Sequence, residues 1–202
     1  MKALLVLYPI QPYASVLMGE KELPGIKMKY AQIYQRLIYK RYPDFQLIWV
    51  MFSEPQSPEK PDMSQLWQGI SIKKYDIVLA CGISFNEHYK KKLYPNPKTI
   101  LDACPQPIEE LVIGGFHFWD CVKKVAKCAY EQGIDVLVDD DLTEFFFGKV
   151  RNRKGIPSPS RIPLSRTESI KQDRKQFIES GGSRQLEHVR EARKGNPWLA
   201  PI

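Results

Sequence analysis

Lys2 to Tyr8 is an almost unbroken apolar run of strand length, whereas Ile26, Tyr30, Ile33, Tyr34, Leu37 and Ile38 fall at i, i+4, i+7, i+8, i+11 and i+12. The first pattern suits a β-strand covered on both faces, and the second is one apolar stripe of an amphipathic helix ending near Pro43. A Pro-rich loop is expected between them. Gln46 to Phe52 is again apolar and rich in β-formers, Ser53 to Pro61 with its three prolines predicts a loop, and Met63 to Ile70 predicts a short helix capped by Asp62. Asp76 to Cys81 predicts a third strand. Residues 83–108 mix basic, aromatic and proline residues without a period and predict one short helix around Asn86 to Leu93. Leu111 to Gly114 predicts a fourth strand, Trp119 to Gln132 a helix with Val122, Val125, Ala126 and Ala129 inward, and Ile134 to Val138 a fifth strand. Gly133 is the expected helix stop. Asp141-Leu142-Thr143-Glu144 fits a capping box opening a last helix into Phe145 to Phe147. Strands alternating with helices predict an α/β domain over residues 1–150, a three-layer open parallel sheet with strand order 3-2-1-4-5. Leu4, Val6, Ile48, Val50, Val78, Val112, Val122, Val125, Ala126 and Val136 are its expected core.

The pattern stops after Val150. Arg151 to Ser165 has three prolines and no hydrophobic period, and the weakly apolar stretches 167–179 and 183–194 are too thin to fold alone. Charge divides the chain at the same place. Residues 1–150 carry 18 Lys/Arg and 18 Asp/Glu, and residues 151–202 carry 12 against 5, so the tail holds the whole +7. Arg151, Arg153, Lys154, Arg161, Arg166, Lys171, Arg174 and Lys175, spaced through prolines and small polar residues, suit extended contact with an anionic macromolecule: RNA, DNA or an acidic protein surface. Aromatics that could stack on bases are absent before Phe177, which argues against reading of a base sequence.

Apolar stretches are far shorter than the roughly 20 residues of a membrane span, so no membrane association is expected. Pro9 and Pro12 follow the first apolar run where a signal peptide would have a small-residue cleavage site, so that run is taken as a strand. The four cysteines, Cys81, Cys104, Cys121 and Cys128, form no Cys-x-x-Cys pair and do not group with the three histidines at zinc spacing. Free thiols in a cytoplasmic setting, with no metal and no cofactor, are the expectation.

Leu111-Val112-Ile113-Gly114-Gly115-Phe116-His117-Phe118-Trp119-Asp120-Cys121-Val122-Lys123 resembles the nucleophile segment of the isochorismatase-like cysteine hydrolases, a family of Rossmann-like fold. The resemblance runs on through Ala126, Ala129, Gly133 and Val136-Leu137-Val138, and reaches back to the strands beginning at Ala3 and Asp76. It implies a cis peptide between Phe116 and His117, Cys121 as nucleophile, and an oxyanion turn around Phe116, His117 and Asp120. The physics of a cysteine at a helix start agrees, since unpaired N–H groups there favour thiolate. The same resemblance assigns an Asp general base to the end of the first strand and a Lys to the end of the third, where this chain has Tyr8 and Cys81. A phenol with a reference pKa of about 10 is a poor base near neutrality, and a neutral thiol carries no positive charge. His117 is the nearest substitute base, although packing of its ring between Phe116 and Phe118 is the plainer expectation. Asp139-Asp140-Asp141 is expected to supply a cap and solvated charges, not a metal site.

Two functional expectations follow. The first is a catalytically degenerate binding or assembly subunit, in a homo-oligomer or larger assembly, whose tail contacts an anionic partner. The second is an active cysteine hydrolase of a small amide or ester using Cys121.

Overall fold

The computed structural model describes residues 1–18, 24–144 and 146–147, so every basic tail residue from Arg151 to Lys175 lies outside the described residues. Five strands form one sheet: β1 (Lys2–Leu7), β2 (Gln46–Met51), β5 (Ile77–Ala80), β6 (Glu110–Gly115) and β7 (Asp135–Val138). Their order is β5-β2-β1-β6-β7, all neighbours parallel, which is the expected 3-2-1-4-5. β1 is central, with Leu4 opposite both Leu47 and Val112, as its covered, non-alternating composition requires. Because the order reverses between β1 and β6, right-handed crossovers put α2 (Pro24–Arg41) and α5 (Lys123–Glu131) on opposite faces. α2 buries Tyr30, Ile33, Tyr34, Leu37 and Ile38, and α5 buries Val125, Ala126 and Ala129. Gly133 ends α5 with a positive φ of 79°. Of the expected core, only Val78 is not fully buried. It sits on β5, an edge strand with one open flank.

Four local expectations are corrected. The loop after β1 contains α1 (Gln11–Met18), whose Tyr13, Ala14, Leu17 and Met18 form a buried face, with Pro12 harmless in the first turn. Ser53 to Pro61 is a two-stranded antiparallel ribbon, β3 (Ser53–Glu54) and β4 (Ser57–Pro61), in which the Ser53 hydroxyl bonds Pro58 O and accepts from Gly82 N. The helix after Asp62 shrinks to one 3₁₀ turn, Met63–Gln65, with the Asp62 carboxylate accepting from Ser64 N. The aperiodic stretch holds two short helices, α3 (Phe85–Lys91) behind a Ser84–Glu87 capping box and α4 (Pro97–Asp102) behind Asn96.

The acidic triplet also differs from expectation. Asp139 and Asp141 are buried, not solvated, and both accept from Arg41 Nη1, at 2.7 and 3.0 Å. The Tyr42 hydroxyl adds a 2.6 Å bond to Asp139. Asp141 thus also ties the end of α2. Two buried carboxylates against one guanidinium hold α2 to the exit of β7.

Candidate active site

In an open parallel sheet, ligands bind outside the carboxyl ends of the strands where the order reverses. Here that point lies between β1 and β6, and the chain places Tyr8 at one exit and the turn leading to Cys121 at the other. Gly115 makes the approach possible: at φ +105°, a Cβ there would lie 2.1 Å from Leu7 O. No side chain fits, so the two exits meet backbone to backbone, with Phe116 N donating to Leu7 O at 2.8 Å. The Phe116–His117 peptide is cis, as the resemblance implies.

Tyr8 is fully buried with a positive φ of 50°, and its ring stacks on Phe52 at 4.5 Å. Its hydroxyl lies against the Cys81 thiol, but the contact lacks hydrogen-bond geometry, and no other described residue partners the oxygen. Desolvation, then the neighbouring Cys81 and Cys121, push its pKa well above the ordinary phenol value. Cys81, also buried, points its sulfur at Ile83 O, 3.4 Å away, and burial raises it too. Thus the end of β1, the end of β5 and the turn after β6 do bring Tyr8, Cys81 and Cys121 together. Tyr13 of α1 joins them, its own pKa raised by burial and then by Cys121.

Cys121 lies in the first turn of the helical run that leads into α5. A π-turn, Phe118–Val122, precedes α5, and His117 is its N-cap. Cys121 is 7% exposed, and burial first, Asp120 second, push its thiol up to about 12, with Lys124 opposing weakly. Lys124 is itself held by Asp120 at 2.6 Å. Desolvation thus outweighs the terminal dipole. Three of the turn's amides are occupied: Asp120 N and Val122 N donate to His117 O, and Phe118 N donates to Glu144 Oε2 at 2.8 Å.

The His117 ring lies edge-on to Phe116, with centroids 6.5 Å apart. It packs on Tyr13 at 4.6 Å, and its Nδ1 stands 4.0 Å from Glu144 Oε1. Glu144, buried in the core, is a site residue that sequence reasoning assigned to a helix cap. Tyr13 lies in a segment whose prolines predict a loop, although the spacing of Tyr13, Ala14, Leu17 and Met18 is helical. Among the described residues, no cluster of His, Cys, Asp and Glu could hold a metal, and no helix is long and apolar enough to cross a membrane.

Neither a protein-family model nor a curated protein matches this chain. Solved structures do. The chain is similar to an isochorismatase from Pseudomonas putida KT2440 (20% identity, TM-score 0.43, 70% of each chain covered). It is similar also to an isochorismatase-like hydrolase from Alkaliphilus metalliredigens (13%, 0.44, 80% of this chain and 96% of that one). A third is N-carbamoylsarcosine amidase from Thermoplasma acidophilum (20%, 0.45, 80% and 99%). In fold, the chain resembles the isochorismatase-like cysteine hydrolases. At the strand ends stand a phenol and two thiols, all driven toward their neutral forms.

Proposed function

We propose that this protein is a non-hydrolytic member of the isochorismatase-like fold, a binding or assembly subunit whose basic segment beyond Val150 contacts an anionic macromolecule. The observation that carries the reading is the trio Tyr8, Cys81 and Cys121, converging where a base, a cation and a nucleophile are needed and supplying none of them in charged form. Acyl transfer to a thiol requires thiolate. A thiol pushed up to about 12 is ionised to only about one part in 10⁵ at pH 7. A missing positioned base costs a further factor on the order of 10²–10⁴. The test is hydrolysis of a panel of small amides and activated esters by the full chain and by Cys121→Ala. Equal background rates are expected, and turnover that vanishes in the variant overturns the proposal. For the tail, the full chain should bind RNA or DNA with an affinity that falls steeply with salt, and Arg151→Gln with Arg153→Gln and Lys154→Gln should flatten that slope. A slope unchanged by these substitutions would place the contact elsewhere.

A second reading is supported by the Glu144–His117 pair, a buried carboxylate 4.0 Å from an imidazole nitrogen at the turn that carries Cys121. In it the protein is a cysteine hydrolase of a small amide or ester, and His117, oriented by Glu144, takes the Cys121 proton. The same assay decides between the two. Under this reading turnover is lost in Cys121→Ala and in His117→Ala, and Glu144→Gln shifts the acidic limb of its pH profile.

A further inference from the structure

Among the described residues, six side-chain cations of the body have acidic partners: Lys2 with Glu110, Arg41 with Asp139 and Asp141, Lys91 with Glu87, Lys98 with Asp102, Lys124 with Asp120 and Lys127 with Glu131. Arg36, Lys40 and Lys73 form no ion pair among the described residues, and all three line one open groove of about 610 Å³. Arg36 and Lys40 are one helical turn apart on the outward stripe of α2 (i, i+4), and Lys73 faces them from the loop before β5. Like charges so placed repel.

The groove's floor is built. Gln35 grips the backbone of Ser71 twice, its amide nitrogen donating to Ser71 O at 2.6 Å and its oxygen accepting from Ser71 N at 2.9 Å, which fixes the loop against the helix. Lys73 Nζ sits 3.5 Å over the Tyr39 ring, which limits its wandering. One carboxylate lies nearby, that of Asp76, and it is engaged: its Oδ2 accepts from the Tyr39 hydroxyl, from Trp49 Nε1 at 3.0 Å and from Lys73 N at 3.1 Å. Three side-chain cations therefore face the groove against one carboxylate that is turned to structural use. Lys73 precedes β5 and Cys81 follows it, so the groove lies at the opposite end of that four-residue strand from the Cys121 site.

We propose that this groove is a second binding site, for a small ligand bearing a phosphoryl dianion, with Arg36 as the forked contact and Lys40 and Lys73 as point charges around it. Arg presents parallel N–H donors to phosphate oxygens, and the ammonium groups add charge without demanding one geometry. The inference is independent of whether Cys121 is active.

The test is titration of the full chain with sodium pyrophosphate at constant ionic strength, followed through the side-chain amide resonance of Gln35 on the groove floor. A saturable shift is expected, weakened at least tenfold by Arg36→Gln with Lys73→Gln and unchanged by Arg151→Gln with Arg153→Gln and Lys154→Gln. A linear, non-saturating shift in the parent protein overturns the proposal. So does an undiminished affinity in the groove variant, and so does loss of the shift in the tail variant, which would put the phosphate on the basic segment.

Discussion

The acidity of Cys121 converts directly into a rate. At pH 8 an unfolded cysteine of pKa about 8.5 is roughly one-quarter ionised, whereas a thiol pushed up to about 12 is ionised to about one part in 10⁴. That difference slows alkylation roughly 2,000-fold. The rarer thiolate is the better nucleophile, and a Brønsted slope of about 0.4–0.5 over the shift returns roughly 25- to 55-fold. Ionisation wins, and the native thiol should react on the order of 40–100 times more slowly than the unfolded one before its 7% exposure slows it further. Iodoacetamide labelling of native and urea-unfolded protein, quenched over time and read at each cysteine by peptide mass spectrometry, measures this. The native Cys121 rate should climb about tenfold per pH unit from pH 7 to 10 without levelling. A plateau below pH 9, or native labelling as fast as unfolded, would show that a positive charge or a base holds the thiolate, and the non-hydrolytic reading would fall.

Replacing Arg41 by Met leaves Asp139 and Asp141 buried without their shared cation and should cost about 3–5 kcal/mol in urea unfolding; a loss under about 1 kcal/mol would mean that water already reaches the pair. Gly115→Ala forces a Cβ onto Leu7 O at a positive φ and should destabilise by about 3 kcal/mol or more, while unchanged stability would mean that the β1 and β6 exits are not in contact. The buried thiols make stability fall at alkaline pH. Cys104 and Cys121 sit at about 11 and about 12 when folded, above an unfolded value of about 8.5, so the unfolded chain binds fewer protons above pH 8.5 and each thiol's contribution is lost as pH rises. Unfolding at pH 8 and 10 should differ by about 1–2 kcal/mol for each thiol, and equal midpoints would refute the shift.

Hydrophobic spacing determined the five strands, the long α2 and α5 with its Gly133 stop, because strand and helix periods are local properties of the chain. The nucleophile turn was legible for the same reason: Gly114-Gly115 through Cys121 is one contiguous segment. α1 and the β3–β4 ribbon were obscured by prolines that sit at a helix start and on an exposed ribbon, where a missing N–H donor costs nothing. What no local pattern contains is the meeting of residues far apart in sequence. Glu144 looks like a capping residue until the fold carries it to Phe118 N and His117. Asp139 and Asp141 look solvated until α2 delivers Arg41 to them. Cys121 looks nucleophilic from its place beside a helix start, yet its acidity is set by desolvation, and how much water a thiol loses is decided only when Tyr8, Tyr13 and Cys81 close around it.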